Sequence, residues 1–108
     1  MSDDTQARIQ KMVNDNRVIV FMKGTPDEPQ CGFSAVVGNL LKDSGVPFAA
    51  FNVLAAPEIR EGIKVFGSWP TIPQLYVDGE LIGGRDVVVD YFERDLLKGI
   101  LTGEVQPD

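Results

Sequence analysis

Along the first half of the chain the spacing of apolar residues changes period repeatedly. Ile9, Met12 and Val13 recur at helical spacing within residues 4–15, which predicts an amphipathic helix ended by Asn14-Asp15-Asn16. Val18-Ile19-Val20-Phe21-Met22 follows as an unbroken apolar run rich in β-branched residues, the pattern of a strand covered on both faces. Lys23-Gly24-Thr25-Pro26-Asp27-Glu28-Pro29-Gln30 is polar, carries two prolines and reads as a loop. A second helix begins near Cys31 or Gly32. Val36, Val37, Leu40 and Leu41 form its apolar face, and Gly45 before Pro47 stops it.

Phe48 to Val53 alternates weakly and predicts a second strand. Pro57 suits the first turn of a third helix, in which Ile59, Ile63 and Phe66 share a side and Gly67 marks the end. After Trp69-Pro70-Thr71-Ile72-Pro73, two short apolar runs, Leu75-Tyr76-Val77 and Glu80-Leu81-Ile82, flank Asp78-Gly79, a strong hairpin signal. Gly83-Gly84-Arg85 leads to Asp86, a good N-cap, and Val87 to Leu101 predicts one last helix. The tail from Thr102 is expected to fray. The order α-β-α-β-α-β-β-α implies an α/β fold. The front strand–helix–strand unit gives a parallel pair and the hairpin an antiparallel one, so the sheet is mixed, with helices on both faces.

Composition narrows this picture. The 108 residues suit a single domain spanning 1–108, and an apolar share of 44% supports a core. No apolar run is long enough to cross a membrane, so no membrane partner is expected. Sixteen acids against ten Lys and Arg leave a net charge of −6, which argues against nucleic acid as a partner. Met1-Ser2-Asp3-Asp4 is acidic and lacks the succession of a secretory signal, so a cytoplasmic location is expected.

The chain has one cysteine and no histidine. That excludes an internal disulfide, a Ser-His-Asp triad and an imidazole metal site. A lone cysteine is more often a small buried apolar residue than a reactive group. Cys31, however, follows a loop and opens a helix, where free N–H groups stabilise a thiolate; Lys23 adds positive charge nearby, and Gly32 leaves room for a ligand. The position of a resolving cysteine, three residues on, holds Ser34. A hydroxyl can hydrogen-bond a thiolate but cannot attack a disulfide, so any redox cycle needs an outside thiol.

Three motifs, Lys23-Gly24-Thr25-Pro26 continuing to Pro29-Gln30-Cys31-Gly32-Phe33-Ser34, Trp69-Pro70-Thr71-Ile72-Pro73-Gln74-Leu75-Tyr76, and Gly83-Gly84 before Asp86, resemble the single-domain monothiol glutaredoxins of the CGFS type. The resemblance runs from about the first helix to the last. It implies a thioredoxin-like fold with a four-stranded mixed sheet and a glutathione site around Cys31. Lys23 and Arg60 would hold the glycine-end carboxylate, and Ile72, before a cis proline, would pair its backbone with the peptide. The backbone at Arg85 and Asp86, with the Asp86 carboxylate, would hold the γ-glutamyl end. Taken alone, Arg60 and Lys23 read as ordinary exposed charges, Ile72-Pro73 as a turn and Asp86 as a helix cap. The family usually has Cys or Ser at position 85. Arg85 departs from that, and whether it adds a carboxylate contact or alters partner choice is open at this point.

A [2Fe–2S] cluster commonly takes four sulfur ligands. The resemblance implies that Cys31 is the chain's metal ligand and supplies one of them. A homodimer with two glutathiones completes the set, with a monomer as the alternative apo form. BolA-like proteins and iron–sulfur recipient proteins are the implied partners. A glutathione-dependent thiol–disulfide oxidoreductase that deglutathionylates proteins is the competing reading, with Cys31 as its catalytic nucleophile, though the Gly24–Pro29 loop of this type disfavours it. A non-redox adaptor is a third reading, and leaves Cys31 and its surrounding cations unexplained.

Overall fold

Strand β1 (Val18–Met22) is buried at all five positions and lies second in the sheet, as its unbroken apolar run predicts. The computed structural model describes residues 3–108; Met1 and Ser2, part of the acidic start read above, lie outside the described residues. The sheet order is β2-β1-β3-β4, with β2 at Ala49–Asn52, β3 at Gln74–Val77 and β4 at Glu80–Gly83. β1 pairs with β2 in parallel and with β3 antiparallel. β3 and β4 form the hairpin expected at Asp78-Gly79, where both residues take positive φ, 50° and 83°, as a primed turn requires. A register shift sits between Leu75 and Tyr76 against β4. β2 gives way to a turn of 3-10 helix over Val53–Ala55.

Alternation along β1 and β3 sorts the core into two layers. Val18, Val20, Met22, Leu75 and Val77 pack under α2 (Gly32–Ser44), α4 (Arg85–Glu93) and α5 (Leu97–Thr102). Ile19, Phe21 and Tyr76 pack under α1 (Asp3–Asp15) and α3 (Pro57–Gly67). Helices therefore cover both faces. α1 and α3 approach closely because Gly62 has no side chain: a Cβ there would lie 2.6 Å from Thr5 Cγ2 and 3.1 Å from Ile9 Cδ1. The Gln6 side-chain amide donates to the Gly62 carbonyl at 3.0 Å across the same contact. Gly62→Val is expected to force the helices apart and cost about 1–3 kcal/mol, measured by urea unfolding.

Three expectations toward the C-terminal end are corrected. The last helix is two: α4 ends near Arg94, Asp95 takes φ 60°, and α5 restarts at Leu97. The Leu96 N–H donates to the Tyr91 carbonyl at 2.9 Å across the break, and Leu97, Ile100 and Leu101 still reach the core. Asp86 is not the N-cap. Gly84 is, so α4 starts directly after β4, and Asp86 sits in its first turn, where a carboxylate is favoured by the helix dipole. The tail from Thr102 is also held rather than loose. Val105 packs on the core, Arg94 pairs with Asp108 at 2.6 Å, and the Asp108 N–H donates to the Tyr91 hydroxyl at 2.9 Å.

Candidate functional site

Cys31 is the N-cap residue of α2, extended at φ −152° and ψ 138°, and its side chain caps no helix amide. The amides instead act on the sulfur. The thiol is held below its ordinary pKa first by the Ser34 backbone N–H; burial opposes this, and the Phe33 N–H, the Lys23 charge and the Ser34 hydroxyl reinforce it. Free N–H groups at a helix start favour negative charge, so the thiolate forms where the chain begins to coil. Cys31 is partly exposed, as a nucleophile or metal ligand must be.

Ser34 is fully buried, and its hydroxyl accepts the Lys23 N–H at 3.0 Å. The serine that replaces a resolving thiol thus ties the end of β1 to the first turn of α2. The intervening loop is clipped. Thr25 and Glu28 exchange backbone hydrogen bonds at 3.1 Å each, the Gln30 N–H donates to Lys23 at 2.9 Å, and the Gly24 N–H donates to Asn52 Oδ1 at 2.9 Å.

Folding lowers the Cys31 pKa. Ionisation therefore adds stability above the unfolded value, and that increment fades as pH falls through the folded value. Alkylation by iodoacetamide is expected to titrate at a lower midpoint in the native protein than in the urea-unfolded chain. Lys23→Gln should remove only a small part of the difference, because the backbone N–H of Ser34 is the larger cause.

Two cavities meet beside the sulfur. One, of about 310 Å³, is lined by Lys23, Cys31, Phe33, Lys64, Pro70, Thr71 and Ile72. The other, of about 180 Å³, is lined by Phe33, Trp69, Thr71, Ile72, Pro73, Gly84, Arg85, Asp86 and Val87. They share Phe33, Thr71 and Ile72 and form one groove, cationic at both ends. The Ile72–Pro73 bond is cis, as the resemblance implied. The β1–β3 register stops at Phe21↔Gln74, and among the described residues nothing bonds the Ile72 N–H or carbonyl. Below, Gln74 donates to the Trp69 and Thr71 carbonyls at 3.0 and 3.2 Å and accepts from the Tyr76 hydroxyl at 2.9 Å, which holds the groove wall. Burial pushes Tyr76 up to about 12, so it stays a neutral donor.

Of the residues expected from the sequence, Cys31, Lys23, Ile72, Arg85 and Asp86 line this groove. Arg60 lies one turn before Lys64 on α3, outside the lining of either cavity, with its Nε buried and unpaired. Sequence reasoning missed Lys64. Its signal was available: four residues after Arg60 on a helix is the same face one turn on. Sequence reasoning also missed Phe33, 58% exposed, over whose ring the Arg85 guanidinium lies at 5.3 Å.

The chain is similar to known proteins over most of its length. A glutaredoxin family profile matches residues 18–82. A monothiol glutaredoxin of Synechocystis is 48% identical over 101 residues, 94% of each chain. Of two longer plant relatives, both named monothiol glutaredoxins, the chain spans 20%. The solution structure of reduced apo GrxS14 from poplar is 42% identical, with a TM-score of 0.78 over 91% of this chain and 90% of that one. A buckwheat glutaredoxin–glutathione complex superposes with a TM-score of 0.81 over 95% of this chain and 96% of that one; at 22% identity it supports the fold alone. The architecture is thioredoxin-like.

Proposed function

The chain belongs to the glutaredoxin family, and from that premise we propose that it binds glutathione beside Cys31 and carries a transferable [2Fe–2S] cluster between two copies of itself. The observation that supports this reading is a lone, partly exposed thiol of lowered pKa, in the Lys23–Lys64 part of a groove with cations at both ends. Glutathione has a carboxylate at each end and a thiol in the middle, so its charge pattern matches. Lys23 and Lys64 face one end, with Arg60 a turn away, and Arg85 and Asp86 face the other. The unbonded backbone of Ile72 is available to the cysteinyl peptide unit, as a strand edge is to an added strand.

Among the described residues no group of three or more His, Cys, Asp and Glu could hold a metal. Cys31 supplies one sulfur, and the other three would come from Cys31 of a second copy and from two glutathione thiols. Ligands that can leave make the cluster a cargo for recipient proteins, with BolA-like proteins as regulatory partners. The proposal includes a cytoplasmic setting, where thiols stay reduced.

A second reading uses the same thiol as an enzyme. The Cys31 thiolate attacks a protein–glutathione disulfide, the protein thiolate leaves and takes a proton, and a second glutathione releases Cys31 as oxidised glutathione forms. The low pKa and partial exposure of Cys31 favour it. Anaerobic incubation with glutathione, ferric iron and sulfide separates the two. A coloured dimer with one glutathione per chain is expected. A colourless monomer that rapidly deglutathionylates a mixed-disulfide peptide would replace the carrier with the enzyme.

A further inference from the structure

Gln74 and Tyr76 stand two residues apart on β3, on one face of the sheet, and both are buried. Gln74 comes directly after the cis bond, where the paired strand begins and the unbonded backbone of Ile72 ends. Its amide has a full set of partners. Nε2 donates to the Trp69 and Thr71 carbonyls at 3.0 and 3.2 Å, and Oε1 accepts from the Tyr76 hydroxyl at 2.9 Å. Turned over, the amide would set its oxygen against two carbonyl oxygens, so one orientation is enforced. The hydroxyl reaches it because α3 ends on a residue without a side chain: a Cβ at Gly67 would lie 2.5 Å from the Tyr76 oxygen and 3.0 Å from Gln74 Oε1. The segment above is tied to α3 at its start, where the Trp69 N–H donates to the Lys64 carbonyl at 3.0 Å. Gln74 holds the rest of it from below.

We propose that Gln74, oriented by the Tyr76 hydroxyl, is a positioning residue that sets where the free backbone of Ile72 meets a peptide in the groove. The inference rests on the glutathione reading above and deepens one part of it, the pairing of Ile72 with the cysteinyl unit. Backbone hydrogen bonds weaken steeply when bent, so an edge that drifts loses them. The charged contacts at the groove ends do not drift with it. Lys23 follows β1 and Arg85 opens α4, and neither is held by the Gln74 amide. Loosening the relay therefore acts on one class of ligand contact, the peptide pairing, and spares the ion pairs. A merely structural role would instead lower stability and weaken every ligand alike.

The test titrates two peptides into isotope-labelled protein and follows the amide resonances: reduced glutathione, and glutathione methylated on its cysteinyl amide nitrogen. The second keeps both carboxylates, the ammonium and the thiol but cannot donate to the Ile72 carbonyl. The unaltered protein is expected to bind it more weakly than glutathione. Tyr76→Phe removes one hydroxyl and leaves Gln74 Oε1 without a partner. It is expected to weaken glutathione about fivefold, the scale of one hydrogen bond, and the methylated peptide by less than about twofold. Gln74→Met, which removes both donors to the segment at similar volume, is expected to weaken glutathione about tenfold or more with the same selectivity. The Ile72 amide resonance, shifted by glutathione in the unaltered protein, is expected to move less in both variants. Thermal unfolding establishes that each is folded, and Tyr76→Phe carries the comparison if Gln74→Met is not. Equal weakening of both peptides, or of neither, would overturn the positioning role and leave glutathione binding intact. Equal binding of the two peptides by the unaltered protein would remove the Ile72 pairing, and the role with it. If the unaltered protein bound neither, the glutathione reading itself would fall.

Discussion

Cys31→Ser is expected to abolish cluster loading and every thiol reaction of the protein while leaving its stability unchanged or slightly higher. The loss is complete because Cys31 is the chain's only sulfur nucleophile. A serine hydroxyl does not ionise near neutral pH and does not replace thiolate on iron. The stability result follows from position. Cys31 is an N-cap residue in extended conformation whose side chain caps nothing, and serine is among the best residues for that place. The introduced hydroxyl would accept from the amides that now face sulfur, adding up to about 1 kcal/mol. Visible absorption after anaerobic reconstitution reads the first effect and urea unfolding the second. A variant that still coloured, or that unfolded much more easily, would mean that the sulfur is structural. The expected pattern, function lost and stability kept, marks a site where a poorer helix cap is tolerated for its chemistry.

Phe21→Ala is expected to show the largest effect on stability. Phe21 is fully buried in the central strand β1, its ring 6.1 Å from that of Phe51 and 5.8 Å, edge-on, from that of Tyr76. Removing a buried phenylalanine side chain costs about 3–5 kcal/mol, the sum of lost transfer energy and a cavity that neighbours fill only in part. The surrounding layer joins α1, α3 and all four strands, which leaves little room to collapse. Domains of this size are stable by only about 5–15 kcal/mol, so roughly a fifth or more of the total is at stake. A fall in melting temperature of at least about 12 °C is expected, with an unchanged denaturant slope. A shift of only a few degrees would mean that the layer repacks.

How far these features could be read in advance depended on how local their causes were. The β1 run, the Asp78-Gly79 turn and the stop at Gly45 each act within a few residues, and each stands where expected. The break between α4 and α5 is of another kind. Apolar residues continue at nearly helical spacing through it, and the interruption arises because Asp95 adopts positive φ while Leu96 bonds back to Tyr91. Nothing in the period announces that. Asp86 was misplaced as a cap for a related reason: a helix beginning immediately after a strand takes Gly84 as its cap, and the acidic residue falls inside the first turn. Val105 is a lone apolar residue in a polar tail, so its packing was invisible to pattern. At the site, the thiol and the Ile72–Pro73 turn were legible from their motifs. The Phe33–Arg85 stack was not, since those residues are 52 positions apart and meet only once the sheet brings α2 beside α4.

The edges of the sheet bear on how two copies can meet. Each edge strand is four residues long. Asn52 at the end of β2 turns its side chain back to accept the Gly24 and Leu54 N–H groups at 2.9 and 3.0 Å, and the chain leaves the sheet there. β4 opens on the exposed charge of Glu80, and the register shift against β3 bends its ladder. Short, charged and irregular margins are poor templates for strand-to-strand aggregation. Self-assembly by sheet extension is therefore disfavoured on both sides. The cluster-bridged dimer proposed above would draw nothing from the sheet edges, and it should come apart when its bridge is removed.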